Sequence, residues 1–155
     1  MIAATPSGSR DESDVLATYE AYLNASINLD EKRVAAYYHE PFVFVSAEKT
    51  VTVATRADAE AYLKPSLEAL RRSNYLKTEF PTLRAQSLGP GIVILSGLGI
   101  RYRTDGTVLM SFGITYIWRR VPEGWKLAVM TVHDATKVLP LDQGTQFNRC
   151  AADAS

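Results

Sequence analysis

The sequence is poor in cysteine, poor in histidine and without net charge, and each shortage closes off a class of function. Its only cysteine, Cys150, has no partner for an internal disulfide, so a reducing, cytoplasmic compartment is the expected address. Lysine plus arginine (17) offset aspartate plus glutamate (17). With no global field, neither nucleic acid nor a membrane surface is an expected partner. No apolar run is long enough for secretion or for crossing a bilayer. Met1 to Ala4 lead at once into Thr5, Pro6, Ser7, Gly8 and Ser9, and residues 1–10 are expected to form a flexible arm.

Several chemistries lack their residues. No serine stands in a nucleophile-elbow context and Cys150 lies in a polar stretch, so covalent catalysis has no candidate. Gly97 and Gly99 fall inside a strand-like run that no helix follows. They make no phosphate-binding loop and are left to let a sheet bend or a partner approach. The two histidines, His39 and His133, are each followed by an acid, Glu40 and Asp134, but are expected several residues apart along the sheet. No metal and no cofactor are expected. Arg71, Arg72, Arg101, Arg103, Arg119 and Arg120 are scattered and balanced by acids, which reads as solvated surface.

What is present suffices for one core. A chain of 155 residues with 46% hydrophobic content fits a single domain, expected over residues 11–140 and followed by a polar tail over 141–155. Ser9 with Glu12 has capping-box spacing, and Val15, Tyr19, Tyr22, Leu23 and Ile27 share a stripe, predicting a helix from Glu12 to Ile27. Asp30 caps a short second helix that buries Val34, Tyr37 and Tyr38 and ends before Pro41. Phe42–Ser46 and Thr50–Ala54 form a hairpin. Thr55 with Asp58 opens a third helix buried through Ala59, Leu63, Leu67 and Leu70, which Pro65 should kink or divide.

From Leu76 the chain turns to long strands separated by Leu88-Gly89-Pro90-Gly91, Asp105-Gly106 and Pro122-Glu123-Gly124. One run puts Ile92, Ile94, Ser96, Leu98, Ile100 and Tyr102 on one face. The next puts Met110, Phe112, Ile114, Tyr116 and Trp118 together. Helices are expected on these bulky faces, in an α+β architecture.

Helix, short helix, hairpin, helix and long strands, with Tyr38-His39-Glu40-Pro41-Phe42-Val43-Phe44-Val45-Ser46 and a closing Gly124-Trp125-Lys126-Leu127 to Thr131-Val132-His133-Asp134, resemble the SnoaL-like and nuclear-transport-factor-2-like superfamily, in an uncharacterised bacterial branch. The resemblance implies a strongly bent, mostly antiparallel sheet wrapped as a cone around the N-terminal helices. It also implies a cavity between sheet and helices, and homodimers formed through the outer sheet face. That face is expected to present Val93, Leu95, Ser111, Thr115, Ile117, Leu127 and Val129. Fold does not select among the isomerases, cyclases, dehydratases and binding domains of the superfamily.

Ketosteroid isomerase is the informative relative, since it needs a carboxylate base and an oxyanion site of tyrosine and protonated aspartate. Similarity to it brings Tyr22, Asp30 and Tyr38 into register, with Tyr62 near a further cavity tyrosine. The base then corresponds to Ser46 and the oxyanion aspartate falls near Ile114. Both carboxylates are missing, so a steroid isomerase is not expected. The tyrosines either point at a cavity or fill space with hydroxyls tied to backbone.

Two readings follow. One is a binding domain for a small apolar or aromatic ligand, with Tyr22, Tyr38, Phe42, Phe44, Ser46, Tyr62, Ile94, Leu98, Phe112, Ile114, Met130 and Asp134 around the ligand. The other is a cofactor-independent lyase, isomerase or cyclase acting on an apolar carbonyl compound, with Asp134 or His39 as base and Tyr22 as hydrogen-bond donor. Alternation leaves the faces of the last strand open; similarity to the isomerase implies Asp134 at the cavity mouth and His133 on the outer face.

Overall fold

The computed structural model describes residues 7–141 and 145–146. Cys150, the first six residues of the expected arm and most of the expected tail lie outside them. In chain order the elements are α1 (Ser7–Ile27), α2 (Glu31–Ala35), β1 (Tyr38–Val45), β2 (Thr50–Val53), α3 (Arg56–Arg72), β3 (Tyr75–Ser87), β4 (Ile92–Arg103), β5 (Val108–Val121), β6 (Gly124–His133) and β7 (Thr145–Gln146). The strands make one sheet, ordered β2-β1-β6-β5-β4-β3-β7. Neighbours are antiparallel except β1 beside β6, which run parallel. The fold is α+β, with the register slipping in β1, in β3 between Glu79 and Thr82, and between β5 and β6. Such irregularities bend a strand and let the sheet curl over its helices.

Local chemistry explains most helix ends. Asp30 accepts hydrogen bonds from the backbone N–H groups of Lys32 and Arg33, and Thr55 accepts one from Asp58, so two orphan helix starts are satisfied as the sequence predicts. Pro65 neither divides nor ends α3. The carbonyl its missing N–H would have served belongs to Ala61, and both residues are exposed, so the vacant lone pair is open to hydration.

α1 begins at Ser7, inside the stretch expected to be a free arm, so Ser9 is not its cap. Glu12 does other work: buried at 8% exposure, its carboxylate accepts the backbone N–H of Ser87 at 2.9 Å. Its neighbour Asp11, 5% exposed, pairs with Arg120, whose guanidinium lies over the Trp125 ring at 4.8 Å. Tyr38 is the first residue of β1, outside the short helix expected to hold it.

The largest correction concerns β4. Val93 and Leu95 are fully buried against the helices, whereas Ile94 and Leu98 lie half-buried on the opposite, outer face. Cross-strand partners share a face, and Val93 pairs with Trp118, Leu95 with Tyr116, Gly97 with Ile114 and Gly99 with Phe112. The inner face of β4 therefore carries its small residues, because other groups occupy the room. A Cβ on Gly97 would stand 2.4 Å from the Thr82 carbonyl oxygen, and one on Gly99 2.6 Å from the Phe112 ring. Leu127, also expected outside, is fully buried.

The outer face is partly covered by the chain itself. The Ser96 hydroxyl donates to the Ile114 carbonyl at 2.9 Å and accepts from Leu139 N–H at 3.1 Å, so the segment after β6 crosses the sheet there. Thr145 and Gln146, within the expected tail, pair with Ala85 and Arg84 as an edge strand.

Candidate functional site

Between α3 and the Arg101 end of the sheet lies a cavity of about 490 Å³. α1 supplies Tyr22, β1 supplies Tyr38 and Phe44, α3 supplies Tyr62, Leu63 and Leu67, and β5 and β6 close it with Phe112, Tyr116, Met130 and Val132. Every element puts its residue there by its own period: Leu63 and Leu67 are four apart on α3, and Phe112 and Tyr116 alternate along β5. The cavity's volume lies within the range of small-molecule sites.

Of the residues singled out from sequence, Tyr22, Tyr38, Tyr62, Phe44, Phe112 and Met130 line this space. Phe42 stands behind it, 1% exposed and stacked on Tyr38 with ring centroids 4.1 Å apart. Ile114 is fully buried in the core. Ile94 and Leu98 are on the other face of the sheet. Ser46 sits in the β1–β2 turn, where its hydroxyl and backbone bond Lys49.

Neither base candidate, Asp134 or His39, reaches the cavity that Tyr22 lines. Asp134 lies exposed beyond the end of β6 and accepts from the Thr136 hydroxyl at 2.6 Å and the Thr136 N–H at 2.7 Å. Those bonds hold its carboxyl below the usual range. It is a capped turn residue, away from the cavity walls. His39 borders a separate polar depression with Glu40 and Lys126. Its Nδ1 donates to the Pro41 carbonyl at 2.8 Å and its Nε2 accepts from Arg119 at 2.9 Å, so both ring nitrogens are engaged. His133, whose face alternation left open, points outward, its Nε2 2.8 Å from the Thr115 hydroxyl and its ring over Gly113. Among the described residues no group of three or more His, Cys, Asp or Glu could hold a metal ion.

The cavity's own titratable groups are four phenols, a guanidinium and an ammonium: Tyr22, Tyr38, Tyr62, Tyr116, Arg101 and Lys49. Burial raises the pKa of all four tyrosines, Tyr38 and Tyr116 furthest. They remain neutral hydrogen-bonding groups at any physiological pH. The Tyr22 and Tyr38 hydroxyls are 3.5 Å apart, the outer limit of a hydrogen bond, so each keeps capacity for a further partner.

A family profile described as NTF2-like protein (DUF6841) matches residues 11–135. The chain belongs to this NTF2-like DUF6841 family. No curated protein matches it. Among solved structures, a cystatin-like domain of unknown function from Nostoc punctiforme superposes with a TM-score of 0.67 at 14% identity, covering 84% of this chain and 78% of that one. Aln2 from a Streptomyces species gives 0.68 at 15% identity, covering 86% and 94%. A provisionally named dehydratase of the NTF2-like family from Streptomyces avermitilis gives 0.63 at 14%, covering 84% and 98%. At these identities the likeness is one of fold, and it supports the curved-sheet NTF2 arrangement that the resemblance implies.

Sequence reasoning missed Arg101 and Lys49 as members of this NTF2-like cavity. Arg101 was legible in principle: it alternates with Val93 and Leu95, and shares their inward face. Lys49, in the β1–β2 turn, holds its ammonium 5.9 Å from the Tyr62 ring centroid.

Proposed function

We propose that the protein is a small-molecule-binding domain whose cavity takes an apolar or aromatic ligand without converting it. The supporting observation is a mismatch between the walls and the needs of catalysis. Apolar side chains and phenols surround about 490 Å³ of space, and no carboxylate or imidazole is among the lining residues. Phenols whose pKa burial raises above 10 donate hydrogen bonds but do not abstract protons at neutral pH. The reading includes a homodimer through the outer sheet face. Half-buried Ile94, Leu98, Ile100, Ile117 and Val129 on that face support it, in place of Val93, Leu95 and Leu127. A single cysteine fits a cytoplasmic setting.

Native mass spectrometry of the purified protein reads both parts. A dimer mass with a small molecule retained on each subunit is the expected result. A monomer that retains nothing and leaves the fluorescence of neutral N-phenyl-1-naphthylamine unchanged would sink the proposal.

A second reading, a dehydratase-like lyase, isomerase or cyclase acting on an apolar carbonyl compound, has one observation in its favour. Tyr22 and Tyr38 together offer two hydroxyls to a carbonyl oxygen, a start on an oxyanion site. It lacks a base, since Asp134 and His39 stand elsewhere. Turnover of any carbonyl substrate by the purified chain would promote it over the first.

A further inference from the structure

The cavity wall contains one feature that an apolar ligand does not need. Arg101 is half-buried on the inner face of β4, its guanidinium carbon 4.9 Å from the centroid of the Phe112 ring and its Nη1 3.3 Å from the Met110 sulfur. No acid pairs with it among the described residues; the ion pairs there join Arg33 to Asp30, Arg56 to Glu60, Lys77 to Glu79 and Arg120 to Asp11. A guanidinium has five N–H donors, and a thioether satisfies one poorly. The cost of taking this charge partly out of water is met on one side by an aromatic face and on the other by nothing anionic.

The surroundings agree in sign. Lys49 is the second charged group of the wall, and it too is a cation. Arg101 is close enough to the phenols for its charge to count: burial raises Tyr22 and Tyr116, and the guanidinium is among the influences opposing that rise. The hydroxyls of Tyr22, Tyr38 and Ser66 also line the cavity and can donate, whereas that of Ser73 donates to the Ala69 carbonyl. The charged groups of the wall are thus both cations, set with hydroxyl donors in an otherwise apolar space.

Resting on the binding reading above, we infer that the ligand is an apolar molecule carrying a single anionic oxygen group, such as a carboxylate, which Arg101 engages while the hydrocarbon or aromatic body fills the cavity. The planar fork of the guanidinium matches two oxygens of such a group. Lys49, exposed at the rim, adds a weaker attraction that water screens.

Two fluorescent probes with one ring skeleton separate this inference from the reading beneath it. N-phenyl-1-naphthylamine is neutral, and 8-anilinonaphthalene-1-sulfonate adds one anionic group. The expected result is saturable binding of both, mutual displacement, and an affinity for the sulfonate about tenfold to a hundredfold higher. Arg101→Gln should remove that advantage while changing the affinity for the neutral probe less than about twofold, and Arg101→Lys should restore part of it. Lys49→Gln should weaken the sulfonate only a few-fold. If the neutral probe binds and the sulfonate binds no more tightly, or if Arg101→Gln weakens both equally, the anion inference is overturned and the binding domain stands. If neither probe binds, both fall. The wild-type ratio decides the matter even if Arg101→Gln fails to fold.

Discussion

The two ends of the β4–β5 pair are built from the same two strands and have opposite interiors. At the Val93–Trp118 end, Val93, Leu95, Trp118 and Leu127 are fully buried against Val15 and Tyr19 of α1. At the Arg101–Met110 end the sheet faces open space. The difference lies in what covers them. α1 packs on β3, β4 and β6 and is fastened by Glu12 to the end of β3 and by Asp11 to Arg120. α3 packs mainly on α2, β1 and β2, and so bridges over the far end of β4 and β5 without filling it. One end of the molecule holds the fold together, which frees the other to stay hollow.

The strongest way to break this comparison is to truncate one large aromatic residue to alanine at each end. Trp118→Ala at the closed end should cost about 3 to 5 kcal/mol of unfolding free energy in urea, because a fully enclosed indole leaves a void that its neighbours cannot fill. Tyr62→Ala, beside space that is already open, should cost only about 1 kcal/mol. Equal losses would show that the open end bears as much of the fold as the closed one.

A pH titration sharpens the boundary between the ends, where Tyr19, Tyr22, Tyr38 and Tyr116 cluster. Desolvation raises the pKa of each above its ordinary value. Their contribution to stability is therefore fully present below the unfolded value of about 10 and is lost as pH climbs from there toward the folded values. Unfolding free energy should stay flat with respect to these groups up to about pH 10, then fall by about 1.4 kcal/mol per pH unit for each buried phenol. Phenolate absorbance worth more than four of the eight tyrosines before any loss of structure would mean that these rings are already in water.

Tyr22→Phe gives the smallest effect and the finest discrimination. The ring stays, and only the hydroxyl facing Tyr38 is lost. If that hydroxyl serves a ligand, affinity for a bound carbonyl or carboxylate compound should drop about two- to tenfold with the melting temperature unchanged. Normal binding by a destabilised variant would assign Tyr22 to packing, on the side of the closed end.

Where the sequence carried a single unambiguous signal, the structure follows it. Asp30 and Thr55 cap as their spacing suggests, Asp105 accepts from Thr107 in the turn that Asp-Gly marks, and β5 alternates with its aromatic residues inward. β4 was misread because Ile92, Val93, Ile94 and Leu95 are apolar on both faces. Alternation carries no information in such a run. The deciding facts were non-local: the β3 backbone presses on Gly97 and the Phe112 ring on Gly99, so the interior needed small residues where bulk was sought. Misplacing that face hid Arg101, which would have turned inward with Val93. Glu12 was lost in the same way, since its partner is 75 residues away and its local spacing matched a commoner motif.

The parallel seam between β1 and β6 bears on how the chain comes together in time. β3 to β6 are sequence neighbours joined by short turns, and their hairpins can zip as soon as they exist. β1 pairs with residues 127–131, so its only neighbour in the sheet other than β2 is made after β3, β4 and β5, and a long loop must close before that contact repays its entropy. Until His133 has left the ribosome, Val15, Tyr19, Val34 and Phe42 have no completed sheet to cover them, and the early half of the chain depends on the late half for shelter. In refolding, β4 and β5 amides should gain protection from hydrogen exchange before those of β1. Simultaneous protection would mean that the seam closes with the meander, and that the first-made strand does not wait for its late partner.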